Sequence, residues 1–147
     1  MSRRRLFIAL VPPEPLRSHL RALRELLGHA GAERVPPHIT LVPPVNLPAT
    51  AVDDALRTAR DAAAGTAPFD LTLGPAGSFA PRNPTVHLEV DAPAELLHLR
   101  RALRRGPFER PDRHDFVPHL TLLHRGTEVQ TSHASRALPG RLRAWRV

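Results

Sequence analysis

Pro37-His38-Ile39-Thr40-Leu41 returns late in the chain as Pro118-His119-Leu120-Thr121-Leu122. The two copies differ only at the central aliphatic residue. A β-strand sends successive side chains to opposite faces. Read as strands, each copy therefore puts a histidine and a threonine on one face and two aliphatic anchors on the other. Two such strands brought together would line a cleft with His38, Thr40, His119 and Thr121. A fold organised around this repeat carries a chemical site as well as a core.

The flanking sequence extends the pattern. Leu6 to Val11 reads as a strand stopped by Pro12 and Pro13, and Pro15 to Leu27 as a helix with leucines at helical spacing ending at Gly28. Val35-Pro36-Pro37 is a stiff extended approach to the first repeat, and Pro43-Pro44 is expected to close that strand. Thr50 is expected to cap a helix running to about Ala64. Phe69 to Leu73 alternates as a strand, Gly74 to Pro84 reads as a crossover loop, and Thr85 to Val90 alternates again. A helix over Pro93 to Arg105 and a polar loop then lead into the second repeat. Glu128 to Leu138 reads as a further helix, and a Pro139-Gly140 turn leads into a last strand over Leu142 to Val147. The order predicts an α+β domain with internal pseudo-symmetry, helices outside and sheet faces lining a central cleft.

Composition narrows the function classes. The chain has 147 residues, enough for one domain or two half-domains sharing a core. Cysteine is absent, which removes disulfides, thiolate nucleophiles and thiolate metal sites. No apolar run approaches membrane-spanning length and no export-signal pattern is visible, so a cytoplasmic location without membrane association is expected. The formal net charge is +7, and all 21 basic residues are arginine. Such a bias fits a GC-rich coding background, but the excess positive charge also raises the local concentration of anionic substrates.

Two imidazoles and two hydroxyls suit phosphodiester chemistry. A neutral histidine can take a proton from a nucleophile while a protonated one supplies the leaving oxygen. The ordinary histidine pKa, about 6.5, keeps both forms accessible near neutrality. Threonine hydroxyls can donate to non-bridging phosphate oxygens. Neither step needs a cofactor or a metal, and none is expected.

The paired His-x-Thr motifs, each preceded by proline and followed by leucine, resemble those of the 2H phosphoesterase superfamily, which includes 2′-5′ RNA ligase-like proteins and RNA 2′,3′-cyclic phosphodiesterases. The opening strand Arg5 to Leu10 and the order of elements extend the resemblance over most of the chain. The family implies a bilobal, pseudo-symmetric α+β fold with antiparallel sheets lining a central cleft. It also implies one domain over residues 1–147 made of two such lobes. His38, Thr40, His119 and Thr121 become the catalytic tetrad. The implied activity is hydrolysis of a 2′,3′-cyclic phosphate or a 2′-5′-type phosphodiester, on RNA ends or small nucleotides. Val42-Pro43-Pro44-Val45 after the first motif, and His124 then Arg125 after the second, depart from the RNA cyclic phosphodiesterase pattern. They place the chain nearer the broader ligase-like branch. The alternative, from another class, is a non-catalytic RNA-end or nucleotide-binding module.

Other residues are candidates for substrate contact. Arg125 could meet a phosphate. Phe7 and Phe79 could stack on a base, with core packing as the competing role for Phe7. His87 shares a polar strand face with Thr85 and Glu89, and either looks into the cleft or, more simply, faces solvent. Arg100, Arg101, Arg104 and Arg105 are expected to form a solvated basic helix face. No protein partner is implied, and a monomer is expected.

Overall fold

A computed structural model describes residues 2–29, 34–138 and 140–147, with residues 142–144 described through their backbone. Pro139, half of the expected Pro139-Gly140 turn, lies outside the described residues. The elements follow the predicted order: β1 (Arg3–Leu10), α1 (Leu16–Leu26), β2 (Ile39–Pro48), α2 (Val52–Ala64), β3 (Asp70–Phe79), β4 (Asn83–Val90), α3 (Ala94–Leu103), β5 (His119–Leu123), α4 (Glu128–Ala137) and β6 (Leu142–Arg146). The strands hydrogen-bond in the order β1-β2-β5-β4-β3-β6. The β2–β5, β5–β4, β4–β3 and β3–β6 pairs are antiparallel.

Contacts gather the chain into two compact units. One holds Met1–Leu10, Thr40–Phe69 and Ala92–Val117. Here the Arg3 guanidinium donates to the Asn46 carbonyl at 2.7 Å, and the Ala49 N–H to the Ser2 carbonyl at 3.0 Å. Helix α2 packs on α3, burying Ala55 and Ala62 with Leu96, Leu99 and Leu103. Each such leucine contributes about 1.5–3 kcal/mol by leaving water.

The other unit holds Val11–Ile39, Asp70–Asp91 and Pro118–Val147. Its strands β3, β4, β5 and β6 are covered by α1 on β5 and α4 on β3 and β4. Leu71, Leu73, Val86, Leu88, Leu120 and Leu122 are fully removed from solvent. Gly28, at φ +82, adopts the left-handed conformation that ends α1, its N–H returning to the Glu25 carbonyl. Helix α4 starts with a reciprocal capping box between Thr127 and Gln130, and the Gln130 amide also donates to the Leu27 carbonyl at 2.9 Å.

Four expectations need correction. Strand β2 does not stop at Pro43-Pro44 but runs through both to Pro48. Proline φ suits extended backbone, and the β2–β5 register, Ile39 with Leu120, is set before the prolines begin. Thr50 caps nothing: it sits inside a 3₁₀ turn, Ala49–Ala51, and α2 starts at Val52 without a side-chain cap. The supposed crossover loop at 74–84 is the far half of an antiparallel β3–β4 hairpin. Gly74, at φ +95, and a register shift between Leu73 and Ala76 absorb the irregularity, after which β3 resumes to Phe79. Finally, of the four arginines in and just after α3, only Arg101 and Arg105 are exposed. Arg100 and Arg104, with side chains 13% and 11% exposed, share Asp112 at 2.8 and 3.0 Å, and Arg100 lies 4.2 Å over the Phe116 ring.

Candidate active site

Burial along the two repeats alternates identically. Pro37, Ile39 and Leu41 are buried while His38 and Thr40 are partly open; Pro118, Leu120 and Leu122 are buried while His119 and Thr121 are partly open. The aliphatic residues are what hold the polar ones outward, since Ile39 and Leu120 are paired across the ladder at 0% exposure. That register sets His38 opposite Thr121 in an antiparallel pair, with His119 two residues before Thr121 on the same side. Thr40, partly open like His38, begins the stretch of β2 that belongs to the other unit. The His38 Nδ1 lies 2.9 Å from the Pro36 carbonyl. A carbonyl can only accept, so Nδ1–H donates, and in the neutral ring Nε2 holds the lone pair. The proline-stiffened approach thus fixes the tautomer of the first histidine.

Strand β4 brings a third imidazole to the second. His87 pairs with Thr121 and Glu89 with His119 across the β4–β5 ladder. Its solvent-facing reading is corrected: His87 is only 5% exposed. The cause is Phe79, which the extended β3 delivers over it. The Phe79 and His87 rings stack at 4.1 Å and 19°, and Phe79 meets His119 edge-to-face at 4.9 Å and 87°. His87 and His119 are 5.6 Å apart at 69°. The His87 Nδ1 lies 3.3 Å from the Thr85 carbonyl. Burial pushes the His87 imidazole below the ordinary histidine range, against the Thr85 carbonyl and Glu89 and with help from His119.

A further cluster lies beside the repeats. The His124 and His29 rings are 5.6 Å apart. Buried Arg24 donates to the Val35 carbonyl at 2.8 Å and lies 3.2 Å from the His29 Nε2. Partial desolvation lowers the His124 pKa, reinforced by His29, Arg24, His38 and His119. Nothing in the sequence spacing of His29 signals the chain return that brings His124 to it. Arg125 sits in the exposed turn after β5 at φ 55, and Phe7 lies on β1 in the other unit, 44% exposed. Of the four candidate substrate contacts, then, Phe79 and His87 are the two gathered at His119. Glu89 is a neighbour of His119 that the sequence reading noted on the strand face but did not select. Among the described residues no three His, Asp or Glu side chains are grouped as a metal ion would require, and no helix is long and apolar enough to cross a membrane.

Comparison with known proteins identifies the family. A family model for the 2′-5′ RNA ligase superfamily matches residues 12–146. A Bacillus cytotoxicus protein named "putative phosphoesterase" is 32% identical over 139 residues, covering 95% of this chain and 78% of its own. A Bacillus cereus protein of the same description is 32% identical over 118 residues, 80% of this chain and 68% of its own. The structure is similar to Escherichia coli LigT complexed with 3′-AMP (TM-score 0.67, 26% identity, covering 86% of this chain and 76% of that one). It is equally similar to LigT in apo form (TM-score 0.68, 25% identity, covering 87% and 76%). The antiparallel α+β fold is that of the 2H phosphoesterases, and the chain belongs to the 2′-5′ RNA ligase superfamily.

Proposed function

We propose that this chain is a single-domain, metal-independent phosphodiesterase. Its substrate would be a 2′,3′-cyclic phosphate or a 2′-5′-type phosphodiester, on an RNA end or a small nucleotide. The observation that carries the reading is the matched alternation of the two repeats, with paired, fully buried Ile39 and Leu120 beneath outward histidines and threonines. The similar LigT structure holds 3′-AMP, a nucleotide phosphate, which supports the substrate class.

In the reaction, His119 takes a proton from water as the water oxygen bonds to phosphorus. His38 gives a proton to the ribose oxygen as the P–O bond breaks. The product is a phosphomonoester with a free hydroxyl, and both histidines have exchanged protonation states. Thr40 and Thr121 hold the non-bridging oxygens, whose charge must be stabilised as the phosphorus becomes five-coordinate. The net positive charge of the chain favours approach of the anionic substrate.

The test is product analysis by mass and phosphorus NMR, with chelator present. The purified protein is offered 2′,3′-cyclic AMP, an RNA ending in a 2′,3′-cyclic phosphate, and a 2′-5′ dinucleotide. Turnover should fall about 10²–10⁴-fold in folded His38→Ala and in folded His119→Ala. The double variant should be little worse than either, because the two act as a unit. Undiminished turnover in either single variant refutes the mechanism. Binding without turnover of any of these substrates would favour the nucleotide-binding module instead.

A further inference from the structure

Strand β4 carries a buried imidazole that the two-histidine reaction leaves unused. Phe79 covers His87 face to face and reaches His119 edge-on, so three rings form one packed group. Gly77 of β3 lies against it. A Cβ at Gly77 would lie 3.5 Å from the His87 Nε2 and 3.8 Å from the Glu89 Oε1, which shows both side chains leaning across that glycine. The ladder fixes the group from beneath, pairing Gly77 with His87, and His87 with Thr121. Packed aromatic pairs with rings 4.5–7 Å apart contribute about 0.5–1.5 kcal/mol beyond area burial. That is enough to select one orientation of a neighbouring ring.

We propose that His87, clamped by Phe79, is a positioning residue that fixes the orientation of the His119 ring. The inference deepens the phosphodiesterase reading and rests on it for its kinetic consequence. His87 is only 5% exposed, and its Nδ1–H is directed at the Thr85 carbonyl. Burial and the adjacent His119 both disfavour its charged form, and Glu89 opposes them. A misplacement of about 1 Å at a reacting group can cost about 10²-fold in rate, which sets the scale of the effect.

Two variants and two readouts separate the possibilities. His87→Ala removes the ring, and His87→Phe keeps a planar partner for Phe79 but no titratable nitrogen. The first readout, which needs no substrate, is NMR of the His119 imidazole: its ¹⁵N shifts and the cross-relaxation between its protons and the Phe79 ring. The second is kcat and KM on whichever cyclic phosphate the wild type turns over. The expected result is loss of the Phe79–His119 cross-relaxation and a fall in kcat of about 10–100-fold in His87→Ala, with KM within threefold. His87→Phe should restore the cross-relaxation and recover kcat to within about threefold of wild type. Unchanged His119 signals in folded His87→Ala overturn the proposal, as does a His87→Phe enzyme as slow as His87→Ala, which would give His87 a proton-transfer role. Should the wild type turn over no phosphodiester, the function reading fails alone, and the NMR comparison still decides whether His87 orients His119.

Discussion

Gly126 closes the turn after the second repeat, and its N–H donates to the Pro84 carbonyl at 2.7 Å. A Cβ added there would fall 2.3 Å from the Val86 Cγ2, 3.4 Å from the Leu123 Cδ2 and 3.5 Å from the Pro84 oxygen. Carbon atoms pack best at about 3.5–4.0 Å, so the new methyl would sit roughly an ångström inside contact with a fully buried side chain. Overpacking of this kind costs about 1–3 kcal/mol. Alanine returns about 0.4–1 kcal/mol by restricting the unfolded chain. Gly126→Ala should therefore destabilise by about 1–2 kcal/mol, lowering Tm by about 2–8 °C for a chain of this size. The decisive assay is a double-mutant cycle in urea. Val86→Ala alone should cost about 1–3 kcal/mol through lost burial. In Val86→Ala/Gly126→Ala the clashing carbon is gone, so the double variant should be more stable than the sum of the singles by about 1 kcal/mol or more. Additivity within about 0.5 kcal/mol would show that the turn backbone, not Val86, absorbs the methyl, and the steric argument would fail.

Asp112→Asn should destabilise by about 1–2 kcal/mol in thermal unfolding, because Arg100 and Arg104 are mostly buried while the carboxylate they share is partly exposed; a change under about 0.3 kcal/mol would contradict this. The same carboxyl is held below its ordinary range, first by the Arg100 hydrogen bond. Its contribution should be present above about pH 4 and be lost as pH falls through the lower folded value. His87 and His124 act in the same direction at higher pH: both bind protons less readily folded than unfolded. Stability should then fall as pH drops below about 6.5, and Tm measured at constant ionic strength should lose part of that slope in His87→Phe. Leu120→Ala, at 0% exposure beneath the site, should cost about 2–5 kcal/mol, whereas Leu26→Ala, at 86% exposure, should stay within about 0.5 kcal/mol in the same denaturation assay.

The site and its surroundings differ in how readily they could be read. His38, Thr40, His119 and Thr121 announce themselves because a strand period of two, written twice, leaves no other way to bury Ile39, Leu41, Leu120 and Leu122. The order of all ten elements follows from similar local periods. Phe79 was less visible, since Gly74-Pro75 and Ala80-Pro81 carry the marks of a loop. Only the register shift in β3 reveals that the strand resumes between them. Missing that segment also hides the burial of His87, whose cover comes from Phe79 and not from its own strand. Arg100 and Arg104 look solvated on a helix read alone; the ion pair exists because the chain turns back to supply Asp112. The kinship to 2H phosphoesterases, by contrast, rests on the repeats themselves and was visible at once.

The strand order has a consequence for the birth of the protein. Strand β5 lies between β2 and β4, and its first partner, Ile39, precedes Leu120 by 81 positions. Closing so long a loop must be completed before its contacts reward it, a feature that slows folding. A nascent chain released only as far as β4 would hold that strand's β5-facing edge unpaired, a template for wrong pairings. Insertion of His119–Leu123 therefore pairs that edge of β4 and installs the second histidine in a single event. A ribosome-bound chain lacking β5 should accordingly be protease-sensitive at β4, and acquire protection and the candidate catalytic pair together.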